Sequence, residues 1–438
     1  MRTRPVILLF AIAVTLASGL TACGGGGDGG SPPKVAPAIS NLTYSPTAVY
    51  VNSGGGTGTV VGTFSYTDTN GGLASVTLAV TDTSGATVTK TTTPVPPGAP
   101  PASGTLQGSV TFGTTVAGNY TIRVSVTDVA GLVSNELTGN FRIAPPAWVL
   151  KAPVPKAEFY SFLAAASGGR VYLIGSLGPM PSPEAMLIYD VVTDTWTNGP
   201  TRPNAHSSSA VAATVSGVVY VIGGADFATQ TALSAVDAFD TITGTWSTKR
   251  PIPTPRVSAA ATVVNNRICV VGGYNIFVTT TRTPALNLME CYDPATDSWS
   301  SGPAMPTGRQ GLGFDAVGSF AYAVGGDCCF GPGFQPLATV ERYDAAANSW
   351  STTAALPMAR SGLAVVGAGG LLFAIGGSGT SGNVPTVEAY DPSIAAWKVK
   401  TPMPSIGGIQ RAAQIGGVIY VFDQEGRTWQ YTPANDIL

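Results

Sequence analysis

Charge is scarce in this 438-residue chain: Asp, Glu, Lys and Arg make up 11% of it, against roughly 25% in an average soluble protein. The net charge is −2, and without clustered excess Lys or Arg nothing in it makes a nucleic-acid-binding surface. A single histidine, His206, leaves multi-histidine metal chemistry without ligands. Five cysteines are too few for a fold held mainly by disulfides. Runs of the helix formers Glu, Lys and Leu are scarce, and the one N-terminal apolar run is too short to span a bilayer. What is plentiful is turn chemistry, with 55 Gly and 34 Pro, so the chain reads as all-β. Its length suggests about three domains.

The first segment, residues 1–22, has the form of an export signal: Arg2 and Arg4, then the apolar run Val6–Leu16, then small residues. Leu20-Thr21-Ala22-Cys23 resembles the lipobox of bacterial lipoproteins, which implies cleavage before Cys23 and acylation of that residue. Acyl chains contribute about 0.8 kcal/mol per buried CH₂, so they hold a protein on a membrane without a spanning helix. Gly24 stands where an Asp would favour inner-membrane retention, which places the expected anchor in the outer membrane, facing either the periplasm or the medium. Residues 23–34, CGGGGDGGSPPK, form a flexible tether with a reach of about 17 Å.

Residues 35–143 read as a separate module. About seven short β-branched runs are split by turn clusters such as Asp68-Thr69-Asn70-Gly71-Gly72, as in an immunoglobulin-like sandwich. Gly118–Asn135, GNYTIRVSVTDVAGLVSN, resembles the last two strands of bacterial Ig-like repeats, with Tyr120 as a corner tyrosine or a plain core aromatic. Asp68, Asn70, Asp82 and Asp128 are either Ca²⁺ ligands gathered at one pole or ordinary turn residues. No other cofactor or metal is indicated.

Residues 144–438 repeat. Tyr189-Asp190, Phe239-Asp240, Tyr292-Asp293, Tyr343-Asp344 and Tyr390-Asp391 are each followed by a Trp seven residues after the aromatic, at 196, 246, 299, 350 and 397. Those Trp residues stand 50, 53, 51 and 47 apart, the period of a propeller blade. Four units carry Gly-Gly after their second strand, at 223–224, 272–273, 325–326 and 376–377. Together these marks resemble the Kelch repeat, which implies a Kelch-type β-propeller over about 290 residues. The last aromatic, Tyr431, lacks its Trp, while AWVLKAPVP (147–155) matches TWTNGPTRP (195–203). Six blades are therefore expected, the sixth closed by the strand at Trp148, which removes both sheet edges. Trp429 falls outside this register and is expected in a loop or on a face.

Three residues after the Pro that ends each unit stand Glu158, His206, Arg256, Arg309, Arg360 and Gly407. Symmetry places them in a ring around the channel mouth, a cationic funnel suited to carboxylates. In Kelch proteins that bind acidic peptides, arginines at this position touch ligand, which implies the same of Arg256, Arg309 and Arg360. Bracing of loops is the other reading of the same side chains. Arg411 is expected in the channel on that side. Tyr274, Phe277, Phe330 and Phe334 follow Gly-Gly pairs and form either a recognition rim or loop packing. Cys269 and Cys291 face each other as a cross-strand disulfide or two buried thiols. Cys328-Cys329 is a vicinal pair, suited to a strained ring or a reactive thiol site.

The function expected is that of an envelope-anchored binding protein whose propeller face takes an anionic peptide or glycan. A carbohydrate-active enzyme of the sialic-acid mutarotase or sialidase type is the alternative, with the arginines holding a carboxylate and Glu158 as acid/base. An adhesin that uses its faces without a pocket is the third reading. A galactose-oxidase-like copper site needs two His and is set aside.

Overall fold

The computed structural model describes residues 34–437 apart from 52–56, 70–71, 97–101, 114–115, 156–160, 177–183, 204–208, 227–228, 276–282, 331–332 and 405–410. Residues 1–33, which hold the expected export signal, Cys23 and nearly all of the expected tether, lie outside the described residues. The chain divides into two compact units, to Pro146 and from Ala147. Both are all-β: among the described residues there is no α-helix, only the 3₁₀ turn Pro433–Asn435.

The first unit has eight strands in two sheets. Ala38–Ser45, Thr57–Thr67 and Ser103–Gly113 form one. The other has the order Ala48–Tyr50, Leu137–Ala144, Gly118–Asp128, Leu73–Asp82, Thr87–Pro94. Alternation builds the core, because successive strand residues point to opposite faces. Tyr120, Ile122, Val124 and Val126 all turn inward against Val60, Phe64, Leu106 and Val110 of the facing sheet. The Tyr120 hydroxyl donates to the Val116 carbonyl at 2.9 Å, the bond of a tyrosine corner. The aspartates proposed for calcium serve their own turns. Asp68 accepts from the Gly72 amide, Asp82 from Ser84 and Ala86, and Asp128 from Ala130 and Leu132. Asn70 lies outside the described residues. Among the described residues no three His, Cys, Asp or Glu side chains converge on a metal site.

The second unit contains six four-stranded antiparallel sheets. Their first strands are Ser161–Ser167, Val211–Val215, Ala260–Val264, Gly313–Val317, Ala364–Ala368 and Arg411–Ile415. Each of these neighbours the next, and the sixth returns to the first, so they form a closed ring. Apolar side chains fill the space between sheets. At the closing seam Phe162, Val171, Leu187 and Tyr189 pack against Ala413, Tyr420 and Phe422. The sixth sheet takes its outermost strand from the start of the unit: Trp148–Lys151 pairs with Thr428–Tyr431.

The repeated residues have local causes. The Asp after each aromatic caps the turn that follows, as Asp190 does by accepting from Val192 and Thr193. Two residues before each Trp the backbone takes positive φ, at Asp194, Gly244, Asp297, Asn348 and Ala395. At three of these the side chain also accepts from the aromatic of its own unit: Tyr189 to Asp194 (2.6 Å), Tyr292 to Asp297 (2.7 Å), Tyr343 to Asn348 (2.8 Å). Each Trp then reaches the preceding sheet, as Trp299 Nε1 does to the Arg250 carbonyl (2.9 Å) and Trp148 Nε1 to that of Thr401 (3.0 Å). Gly272 shows why the Gly-Gly pair is needed. It sits at φ +68°, and a Cβ there would lie 2.4 Å from the Arg309 carbonyl.

Trp429 corrects the sequence reading. It lies within the strand Thr428–Tyr431, and its indole donates to Asp423 at 3.2 Å. Phe422-Asp423 stands where Gly-Gly is expected, and Asp423 closes its own turn by accepting from the Glu425 and Arg427 amides.

Candidate functional site: the central channel

Small residues on the inner strands leave open space along the ring axis. One cavity of about 210 Å³ is lined by all six first strands or the residues just before them, including Leu163, Ser209, Ser258, Gly311, Gly362 and Arg411. A second of about 350 Å³ continues towards the other end and is lined by Ala166, Thr214, Val263, Asp315, Gly367 and Gln414 among others. Both are bounded by Ala164, Ala212, Ala261, Phe314, Val365 and Ala412, so they are two ends of one channel.

At the first mouth the backbone forms a belt. The Ser258 amide donates to Ser209 O (3.0 Å), Gly311 to Ser258 O (2.8 Å) and Gly362 to Gly311 O (2.7 Å). Arg411 is the charged side chain among the described residues lining this mouth. Its Nε donates to the Phe162 carbonyl at 2.8 Å, joining the sixth inner strand to the first. Burial pushes its guanidinium down to about 10. At the other end Asp315 holds three sheets together. It accepts from Thr262 Oγ1 (2.7 Å), from the Gly367 amide (2.8 Å) and from the Ala316 amide. It is half-buried on the channel lining, and desolvation by the surrounding protein raises its carboxyl above the ordinary value.

The expected arginine funnel is corrected here. Arg256, Arg309 and Arg360 are 2%, 0% and 0% exposed, so their guanidinium groups do not face the channel mouth. Each is paired inside its own sheet: Arg256 with Glu290, Arg309 with Glu341 at 2.6 Å, Arg360 with Glu388 at 2.7 Å. Burial lowers each guanidinium below its usual value while the paired carboxylate opposes the shift. Further donors reach backbone carbonyls, as Arg309 Nη1 does to Gly325 O (3.0 Å) and Thr339 O (2.7 Å). These arginines lock a loop to a sheet, the bracing role. Glu158 and His206 lie outside the described residues, as do Gly407 and Phe277.

Sequence reasoning missed the partners, although the signal was there. Asp237, Glu290, Glu341 and Glu388 each stand two residues before the repeated aromatic. Asp237 takes Arg202, at 2.7 Å and equally buried. Asp315 was also missed, an acid within an inner strand of otherwise uncharged residues. Of the rim aromatics, Tyr274 is buried against Ala225 and Val257, while Phe334 is 47% exposed. Phe330 lies on the short strand Cys329–Phe330. Cys269 and Cys291 are opposed on neighbouring strands and joined, S–S 2.10 Å. Cys328 and Cys329 are not joined.

Known proteins share these repeats. Residues 161–377 match the KLHDC2/KLHL20/DRC7 Kelch-repeats domain family, and 359–404 match the Kelch motif. The chain is 32% identical over 143 residues to Kelch-like protein 35 of Mus musculus, covering 32% of this chain and 24% of that protein. It is 27% identical over 257 residues to Kelch-like protein terF of Aspergillus terreus, 55% of each. The matches thus span about a quarter to about half of these relatives' length. Among solved structures, that of YjhT aligns with a TM-score of 0.55 at 16% identity, covering 64% of this chain and 95% of that one, a likeness of fold.

Proposed function

From the premise that this chain is a Kelch-repeat protein with a propeller fold, we propose that it is a binding protein of six blades, carried behind an immunoglobulin-like sandwich. The propeller takes an anionic peptide or glycan at the channel mouth bordered by Arg411. The observation that carries this reading is the mouth itself. A hydrogen-bonded belt of backbone links four of the six sheets along its edge, and Arg411 is the charged group on its described lining. A concave site with a few fixed polar groups suits recognition, and a guanidinium held by a carbonyl is already oriented for a carboxylate. The funnel arginines are taken up by Glu290, Glu341 and Glu388, which removes the carboxylate clamp from the enzyme reading.

Export and anchoring at Cys23, towards the outer membrane, belong to the same proposal. They are supported by the lipobox-like residues and the Gly-rich tether. Labelling with a radioactive fatty acid checks this part, since Cys23→Ser should abolish incorporation.

Calorimetry of the full chain with acidic peptides and carboxylated oligosaccharides tests the binding reading. Binding should weaken at least about tenfold in Arg411→Gln, the loss of one charge-assisted contact. It should also fade as pH rises through about 10, where Arg411 loses its proton. Heat unaffected by the substitution would move the site away from this mouth. Turnover of the sugar would return the enzyme reading.

A further inference from the structure

Cys328 and Cys329 are adjacent in the chain, with sulfur atoms 2.8 Å apart and no bond between them. Both are partly exposed. Cys329 opens the short strand Cys329–Phe330, which pairs with Thr283–Pro284 from the preceding sheet's loop, and Cys328 directly precedes it. Their backbone is held from three sides. The Ala285 amide donates to Cys328 O (3.0 Å), the Gln310 side chain donates to Cys329 O (2.7 Å), and Asp327 accepts the Cys329 amide (3.3 Å). Gln310 directly precedes Gly311, which lines the channel mouth. The fold therefore keeps two thiols in contact beside the proposed binding face. Elsewhere in the same unit two cysteines have been joined.

The geometry points to a reversible redox site: Cys328 and Cys329 close to a vicinal disulfide by exchange with a low-molecular-weight disulfide, and reopen under mild reductant. One cysteine thiolate attacks a sulfur of the small disulfide, forming a mixed disulfide and expelling one small thiolate. The second cysteine thiolate attacks the protein-bound sulfur of that mixed disulfide, forming the Cys328–Cys329 bond and expelling the other small thiolate. The two cysteine protons end on the two released thiols. Two electrons pass from the cysteine pair to the small disulfide.

The closed form must be the weaker of the protein's two disulfides. Adjacent Cα atoms lie about 3.80 Å apart across a trans peptide, inside the usual separation of bridged cysteines, so a small ring containing that peptide bond is strained. Strained, accessible disulfides are the readily reduced ones. Cys269 and Cys291 are 3% and 8% exposed, which shields their bond from the same reductant.

Mass mapping of the folded full chain after equilibration in glutathione buffers, acid quench and alkylation reads this directly. The tryptic peptide Gln310–Arg342 carries both thiols. In oxidised buffer it should lose two hydrogens and refuse alkylation. It should reopen at a reductant level roughly tenfold or more below that which opens Cys269–Cys291. Cys329→Ser should instead trap Cys328 as a glutathione mixed disulfide, with an unchanged urea midpoint showing that the fold is intact. Two alkylatable thiols at every buffer ratio would overturn the proposal. So would a vicinal bond that opens only together with Cys269–Cys291.

Discussion

Trp148 stands opposite Tyr431 in antiparallel register, their ring centroids 4.6 Å apart. Elsewhere the same contact is made within one short stretch, as by Tyr292 and Trp299 at 5.2 Å. Here the partners come from opposite ends of the ring-forming segment. Tyr431 still keeps its own turn acid: its hydroxyl donates to Asp436 at 2.5 Å, just as Tyr292 donates to Asp297. Asp436 in turn accepts the Thr401 amide, as Asp297 accepts that of Arg250. One repeat is split between the two ends of the ring-forming segment, with the acid downstream and the tryptophan upstream. Trp148→Ala should therefore cost about 3–5 kcal/mol, as for a buried aromatic in a core, read from the urea midpoint. Deleting 147–151 should also expose Thr428–Tyr431 as an open edge and drive association, seen by light scattering. A Trp148→Ala protein within about 1 kcal/mol of the parent would show that the junction does not hold the ring.

The Arg309–Glu341 pair yields a prediction that separates bracing from ligand contact. Both side chains are buried, so removing one leaves the other charged without its counter-ion. Arg309→Met should cost about 3–5 kcal/mol, and the double change Arg309→Met/Glu341→Leu distinctly less than the two single losses combined. Chemical denaturation of the four proteins measures it. An Arg309→Met protein of parental stability that had lost only ligand binding would return Arg309 to the funnel role.

Glycine at 272 is tested by contrast with glycine at 369. Both have positive φ, but a Cβ at 272 would strike the Arg309 carbonyl while one at 369 meets nothing within 4 Å. Gly369→Ala should therefore lose only the conformational term of about 1–2 kcal/mol. Gly272→Ala should lose clearly more, because the next sheet's loop must move. Equal losses in thermal or urea unfolding would deny the close approach.

What the sequence made legible was whatever repeats along the chain. The seven-residue interval from Tyr292 to Trp299 is a cross-strand register, so it survives folding unchanged. Positive φ at Asp194, Gly244, Asp297 and Asn348 follows from residue types that tolerate it, whereas Ala395 holds it by position alone. What stayed hidden depends on contacts between repeats. Arg256, Arg309 and Arg360 occur at one position, and that regularity reads equally well as a shared ligand ring or a shared internal brace. Only the matching acids at 290, 341 and 388 decide it, and their partnership needs the third strand to lie beneath the loop. Asp315 is harder still, since its three partners come from three different sheets.

Asp315 also gives the protein a titration of unusual sign. Desolvation inside the channel holds its carboxyl above the ordinary value near 3.8 that it recovers on unfolding. Between those two values the native chain binds the extra proton. This group's contribution is therefore whole below the ordinary value and is lost as pH rises through the raised one. Asp190 and Asp240 act the other way. Backbone amides of Thr193 and Val192 hold Asp190 low, and those of Thr243 and Ile242 hold Asp240 low. Their contribution is present above the ordinary carboxylate value and is lost as pH falls. Whole-protein stability mixes the two signs, but the difference between parent and Asp315→Asn isolates one. In urea titrations from about pH 4 to pH 8, the parent's advantage over the variant should be largest at the acid end. It should decline steadily as the channel carboxyl ionises. An advantage that stayed flat or grew towards pH 8 would mean that Thr262, Ala316 and Gly367 hold the carboxylate in its charged form, and that their hydrogen bonds outweigh the desolvation.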